Sequence, residues 1–263
     1  MLKPFYSPER GKLRVLGFIS GSGNTLWKAY ELSKTLEATQ GQCPFEIVGV
    51  FSDNPNCSGI EFAKKENIPF ETSNIKEFYA KKQKKISDLS VRAEFDQGVL
   101  DKIKKFDADI IILAGYVWAI TDVILSNYMT INVHPADLSI MENDSPKYAG
   151  KDGVGDALRA KEDYIASSSH IAIGELDAGP ILMISEKIPI DYSLHTDEIE
   201  RFRYYLKQVN NQGRLIGAYT LLEIASGNFT LDETGRVHHK SIQKPQGIVI
   251  DNWDQYLSQE GLK

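Results

Sequence analysis

The residues best placed to do chemistry are Asn132 and His134, inside Thr130-Ile131-Asn132-Val133-His134-Pro135. They sit two apart in an apolar, β-branched run, so on a strand both side chains leave the same face. An amide that donates hydrogen bonds and an imidazole that donates, accepts or carries a proton would then act on one atom. Pro135 cannot donate to a ladder and restricts its predecessor, which ends the strand and puts His134 at its carboxyl end, where open α/β sheets bind ligands. An ordinary strand end with a hydrogen-bonded imidazole fits the same tripeptide, and the tripeptide alone does not decide. Two other stretches carry polar groups of interest. Glu175-Leu176-Asp177-Ala178-Gly179-Pro180 holds a carboxylate in a turn, and Gly21-Ser22-Gly23-Asn24-Thr25 follows an apolar run and precedes a helical pattern. Such a glycine turn aims backbone N–H groups and a helix N-terminus at one spot, which suits phosphate. The third glycine of a dinucleotide fingerprint is missing.

The elements that must position these groups alternate. Leu13 to Ser20 reads as a strand, Asn24 to about Thr39 as a helix, Phe45 to Ser52 as a strand and Ser58 to Asn67 as a helix. Lys76 to Ile86 is polar, and its Lys81-Lys82-Gln83-Lys84-Lys85 run reads as a solvated face or loop, with a patch for RNA or an anionic substrate as the alternative. Asp88 to Phe106 is helical, Asp109 to Ala114 is an apolar strand of the kind covered on both faces, and Thr121 to Tyr128 is a short helix before the Asn132 strand. The order predicts an α/β fold with a Rossmann-like, doubly wound, mostly parallel sheet. Ala136 to Gly150 is a polar loop, functional or mobile in character. Strands over Ser167–Ile173 and Ile181–Ile190 follow, then a long helix from Thr196, as N-cap, to about Ser226, where Gly227-Asn228 stops it. One domain spans 1–263, with a phosphate-binding half over about 13–127, a second half over about 128–250 and a tail at 251–263.

Composition narrows the function. With 263 residues, 42% hydrophobic and 25% charged, the chain reads as an ordinary soluble protein, and its net charge of −6 disfavours nucleic acid as a partner. Neither a signal peptide nor an apolar span long enough for a membrane is visible, which predicts a cytoplasmic protein and a small soluble substrate. Cys43 and Cys57 are unclustered, so neither a disulfide framework nor a metal site is expected. Asp53, in Asp53-Asn54-Pro55, reads as a turn former. Its alternative is the ribose-binding acid of a nicotinamide site.

Four ordered motifs, Ser20-Gly21-Ser22-Gly23, Leu113-Ala114-Gly115-Tyr116, Asn132-Val133-His134-Pro135 and Leu176-Asp177-Ala178-Gly179-Pro180, together resemble the folate-dependent formyltransferase family. His170, Pro146-Lys147-Tyr148-Ala149-Gly150 and Lys244-Pro245-Gln246-Gly247 also fall where that family carries similar residues, so the likeness runs from about Leu13 to Ile250. It implies that a primary amine attacks the formyl carbon of 10-formyltetrahydrofolate, the co-substrate, with no metal. The tetrahedral intermediate then carries negative charge on oxygen and positive charge on nitrogen. By resemblance Asn132 and His134 stabilise the oxyanion, and Asp177 holds His134 protonated and receives the amine proton. The pterin is expected against backbone groups of Val117, Trp118, Ala119 and Ile120 and of Gly174, Glu175 and Leu176. Gly21, Ser22, Gly23, Asn24, Thr25 and His170 are expected at the acceptor.

The resemblance is nearest to members that use glycinamide ribonucleotide, and this or a related phosphorylated amine is the expected acceptor. Departures lie on that side. The turn reads Gly-Ser-Gly-Asn-Thr where those members read Gly-x-Gly-Ser-Asn. A Glu-His pair of their late helix is replaced around Asn211-Gln212-Gly213-Arg214-Leu215, Trp118 stands where relatives commonly have Arg, and about six residues are inserted between Ser139 and Pro146. A nucleotide-linked amino sugar therefore stays open as acceptor. Methionyl-tRNA fits less well, because no room for a carboxyl-terminal barrel follows Gly227. Hydrolysis of formyltetrahydrofolate would want an amino-terminal regulatory domain, and about twelve residues precede Leu13. A non-catalytic folate- or nucleotide-binding relative is the reading from another class. A homodimer is compatible with the sequence, which has no motif for a partner surface.

Overall fold

The computed structural model describes residues 2–195, 197–242 and 247–259. The predicted alternation produces a central eight-stranded sheet. Its strands are β1 (Leu13–Ile19), β2 (Phe45–Ser52), β3 (Phe70–Thr72), β4 (Ile110–Leu113), β5 (Met129–His134), β6 (Ser168–Ile171), β7 (Ile181–Ile184) and β8 (Ile248–Val249), in spatial order β8-β7-β6-β5-β4-β1-β2-β3. β3, β2, β1, β4 and β5 run parallel, β6 is antiparallel to both β5 and β7, and β7 pairs in parallel with β8. The fold is thus α/β with a mostly parallel sheet, as the order of elements predicts.

The apolar runs are continuous because both faces are covered. In β1, Val15 and Ile19 join a cluster with Leu26 and Leu36 of helix α1 (Asn24–Gln40) and Ile216 and Leu221 of the long α7 (Glu198–Ala225). Leu16 and Phe18 point the other way, into a cluster with Phe95, Val99 and Ile103 of α4 (Arg92–Ile103). That second face also takes Ile75 and Tyr79 of α3 (Ile75–Lys81), which sequence reading treats as loop. Its amphipathic stripe is too short to register, although Asn74 caps it in the standard way, accepting from the N–H groups of Lys76 and Glu77. The lysine run follows this helix on the surface, where Lys82 pairs with Glu94 and Lys84 with Asp88.

Four other expectations need correcting. α2 (Ser58–Lys65) ends early, and the region 121–128 holds only the single-turn α5 (Asp122–Leu125). The strand expected over 181–190 breaks after Ile184, and Ile188–Pro189 pairs instead with Tyr164–Ile165 beside α6 (Gly153–Arg159). The tail contains α8 (Trp253–Gln259). The N-cap of α7 is Asp197, which accepts from the N–H of Glu200 at 2.9 Å. Thr196 and Lys244-Pro245-Gln246 lie outside the described residues. No described helix is long and apolar enough to cross a membrane. Cys43 and Cys57 are free and buried.

Helix α7 lies against β5 and α1 at close range. A Cβ on Gly217 would sit 2.4 Å from Cγ2 of Thr25 and 3.2 Å from Cγ2 of Val133. Val133 therefore faces α7, and Asn132 and His134 face away from it. Gly217→Ala sets two effects against each other. Alanine raises helix propensity by about 1 kcal/mol, and overpacking costs about 1–3 kcal/mol. The short contact makes the second larger, so thermal unfolding should show a lower Tm. An unchanged or higher Tm would mean that α1 and α7 separate freely.

Candidate active site

The strand register builds the site. β5 and β6 pair antiparallel with Asn132 opposite His170 and His134 opposite Ser168, which puts the two histidines and the amide on one face. Asp177 comes from the β6–β7 connection. Its backbone is left-handed, with φ of 53°, a conformation that Asp tolerates better than most residues. Gly179 makes the turn fit, since a Cβ there would lie 1.8 Å from the carbonyl oxygen of Ile171. The loop is thereby pressed onto the end of β6, and the carboxylate reaches the cluster.

Asn132 Nδ2 donates to Asp177 Oδ1 at 3.1 Å and lies 3.1 Å from His170 Nε2. His170 Nδ1 lies 3.1 Å from the carbonyl of Ile171. A carbonyl only accepts, so Nδ1 carries a proton, and Nε2 lies between Asn132 Nδ2 and, at 3.5 Å, Asp177 Oδ1. The Asn132 amide is thus held with its NH2 inward. Gly150 N–H donates to Asp177 Oδ2 at 2.8 Å, and His134 Nδ1 lies 3.3 Å from the same oxygen. His134 Nε2, 2.8 Å from the carbonyl of Tyr148, donates to it. Asp177 and His134 are 7% and 5% exposed, so these contacts are made largely out of water.

Burial pushes the His134 pKa below the ordinary imidazole value, and the charge of Asp177 and the Tyr148 carbonyl only partly offset it. Burial by itself would raise the Asp177 carboxyl. The bond with His170, the His134 charge and the Gly150 N–H outweigh that and hold it below the usual carboxylate value. The charge of Asp177 thus favours a protonated His134, and burial opposes it.

The loop expected over 136–150 is anchored at both ends. Tyr164 OH donates to Asp137 at 3.0 Å and Tyr148 OH bonds to Glu162. Between the anchors, Met141–Glu142 pairs with Ser145–Pro146 across Asn143 and Asp144, both at positive φ as a two-residue hairpin turn requires. This exposed hairpin lies within 139–146, where the insertion is expected. The family-like Tyr148 and Gly150 after it contribute their backbone to His134 and Asp177, a role that side-chain motifs do not reveal.

At the glycine turn, α1 begins at Asn24 with Gly23 as a left-handed N-cap, no capping side chain and no acidic residue in its first turn. The carbonyls of Gly21 and Ser22 accept from Gly59 N–H at 3.2 Å and the Trp27 indole at 2.6 Å. The acceptors of the turn are spent inside the protein, and the free N–H groups of the helix start are what it offers. From Asn24 a cleft of about 360 Å³ runs between α1 and α7, lined by Lys28, Glu31, Asn211 and Arg214 among others. Lys28 pairs with Glu31 at 3.4 Å, whereas the half-buried Arg214 makes no hydrogen bond or ion pair among the described residues. Thr25 packs its methyl toward α7. His170, expected at the acceptor, is instead 1% exposed within the Asn132 cluster.

Val117 to Ile120 forms an irregular segment between β4 and α5, and Gly174 to Leu176 comes alongside, its Gly174 facing Oδ1 of Asp122. Val117, Ile173 and Leu176 expose their apolar side chains. Four groups grip the first segment. Val117 N–H donates to Ser20 Oγ at 3.2 Å, the Trp118 indole to Asp53 at 2.7 Å, Arg92 to the Ala119 carbonyl at 3.3 Å, and Thr121 N–H to Asp96 at 2.7 Å. Asp53 is 6% exposed and bound to Ser20 and Trp118, so it is neither a simple turn former nor free for a ribose. Arg92 and Asp96 escape sequence reading, because a buried charge on a helix looks like a surface residue until its partners are known. Among the described residues no group of three or more His, Cys, Asp or Glu is arranged to hold a metal ion.

Comparison with known proteins agrees with this fold. The chain is 23% identical over 241 residues to the phosphoribosylglycinamide formyltransferase of Escherichia coli, covering 91% of this chain and 100% of that protein. It is 30% identical over 181 residues to the trifunctional purine biosynthetic protein adenosine-3 of Chironomus tentans, covering 68% of this chain but 12% of that much longer protein. The phosphoribosylglycinamide formyltransferase structure from Coxiella burnetii superposes with a TM-score of 0.69 at 24% identity, over 90% of this chain and 99% of that one. The pattern of the formyl transferase family matches residues 13–213, which contain the glycine turn, Asn132, His134 and Asp177 alike, and the chain belongs to that family.

Proposed function

We propose that this protein transfers the formyl group of 10-formyltetrahydrofolate to the primary amine of glycinamide ribonucleotide, in the cytoplasm. The observation that carries the reading is the convergence of Asn132, His134 and Asp177 at the carboxyl end of β5, with contact distances of 3.1 and 3.3 Å, in a formyl transferase. In the cluster Asn132 Nδ2 donates to Asp177 and lies against His170 Nε2. A formyl oxygen bound there competes for this amide, and gains most when it becomes an oxyanion, because a full charge strengthens the bonds it accepts. The attacking amine turns cationic at the same moment. Its proton passes to the Asp177 carboxylate, and N10 of the folate takes a proton as its bond to the formyl carbon breaks, which releases tetrahydrofolate. Once protonated, His134 is held between Asp177 and the Tyr148 carbonyl and adds positive charge beside the oxyanion.

The pterin lies against segments 117–120 and 174–176, where exposed Val117 and Leu176 offer apolar cover and the backbone supplies polarity. The acceptor phosphate sits at the glycine turn, with its sugar toward the α1–α7 cleft. The turn itself, Gly21 to Thr25, carries no charged side chain, so Arg214 is the free cation nearest in kind to what a phosphate needs. The hairpin at 141–146 and the changes at 211–215 bear on which amine fits.

Purified protein should release tetrahydrofolate from 10-formyltetrahydrofolate only when glycinamide ribonucleotide is present. Turnover with a nucleotide-linked amino sugar and none with glycinamide ribonucleotide would replace the acceptor, and folate binding without turnover on any amine would leave a binding protein. His134→Ala should lower kcat by about 10²-fold or more, and an unchanged rate would remove the ring from the mechanism. Arg214→Gln should raise KM for the phosphorylated amine about tenfold with kcat nearly unchanged. A lowered kcat at unchanged KM would show that Arg214 acts elsewhere. In an NMR pH titration the His134 ring should lose its proton below the ordinary imidazole value. Asp177→Asn removes the charge that raises this pKa, so the titration should move lower still, and an upward move would contradict the assigned contact.

A further inference from the structure

Ser20 is the last residue before the glycine turn, and its contacts lead away from the turn to the far segment. Its N–H donates to the carbonyl of Gly115 at 3.2 Å. Its hydroxyl donates to Asp53 Oδ1 and accepts from Val117 N–H at 3.2 Å. The other carboxylate oxygen of Asp53 accepts from the Trp118 indole at 2.7 Å. The Trp118 ring lies 5.6 Å from the guanidinium of Arg92, which is 1% exposed and bonded to the Ala119 carbonyl. Asp53 itself comes from the end of β2, so three strand ends meet at one buried carboxylate.

We propose that Asp53, with Ser20 and Trp118, is a positioning unit that couples the acceptor subsite at the glycine turn to the folate subsite at 117–120, so that each ligand tightens the binding of the other. The inference rests on the assignment of those two subsites made above. A carboxylate accepts only, and both oxygens of Asp53 are engaged, one by each subsite. A ligand that fixes the turn fixes Ser20, hence the carboxylate, hence the indole and the backbone beside it. The second ligand then meets a segment already ordered and loses less conformational freedom on binding. By linkage the effect is reciprocal. Neither Asp53 nor Ser20 needs to touch a reacting atom.

Double titration by calorimetry tests this on the whole chain, with ribose 5-phosphate as the phosphosugar probe and tetrahydrofolate as the pterin probe. In the unsubstituted protein a saturating concentration of either should lower the Kd of the other by about fivefold or more. In Asp53→Ala the factor should fall to about one while each probe alone still binds. Asp53→Asn, which keeps one acceptor oxygen, should restore part of it. Ser20→Ala removes a single hydroxyl and should also abolish the coupling, so the result does not depend on Asp53→Ala folding well. A coupling factor near one in the unsubstituted protein, or one that survives both Asp53→Ala and Ser20→Ala, overturns the proposal. Failure of both probes to bind the unsubstituted protein would instead sink the assignment of the subsites. A loss of Tm with the coupling intact would make Asp53 a purely structural residue.

Discussion

The arrangement depends on a charge kept out of water. Asp177 is buried, and a buried carboxylate is tolerable only when several donors meet it. Asn132 and Gly150 supply N–H groups and His134 a polar ring, the first and last from β5 and Gly150 from the loop before α6. β5 must therefore end where it does, the loop before α6 must return to put Gly150 overhead, and the β6–β7 turn must press inward at Gly179. None of these segments can shift alone without leaving a lone pair or a donor unsatisfied. The chemistry proposed for the cluster draws on the same fact, since groups satisfied only by one another are ready to exchange partners when a charged species forms among them.

The same economy appears at another buried carboxylate. Asp53 is surrounded by an alcohol and an indole, neither of which carries charge, and the backbone they belong to carries the two loops that frame the carboxyl edge of the sheet. Arg92 and Asp96 secure the rest of the segment from α4, so a loop without regular secondary structure is held at four points. Its polarity toward a ligand is what remains after these bonds are made.

Much of this was legible in the residues. Uninterrupted runs such as Ile110 to Leu113 announce a sheet covered on both faces, and Pro135 marks the end of β5. The Asn-x-His spacing fixes a shared face because the period of a strand is two. Asp177 was found through its motif, and its approach to Asn132 is a tertiary fact that no local pattern contains. The short α3 and β3 escaped because each has too few residues for a periodicity to emerge. Backbone donors and acceptors leave no trace in residue types, so Gly150 N–H and the Tyr148 carbonyl were invisible. Burial leaves no trace in residue type either, so the Asp177 charge beside His134 is legible in the motifs and the opposing cost of burial is not.

Val133 points to α7 while its neighbours on either side point to the cluster, and this alternation splits the strand between two tasks. Residues of α7 can be exchanged on the one face with little disturbance to hydrogen bonds on the other, since effects at sites without shared partners tend to add independently. A lineage could therefore retune which amine is accepted through positions such as Asn211 and Arg214 while inheriting the formyl-handling groups unchanged. The pleat of a single strand would then act as a partition between the part of the sequence that is free to drift and the part that is not.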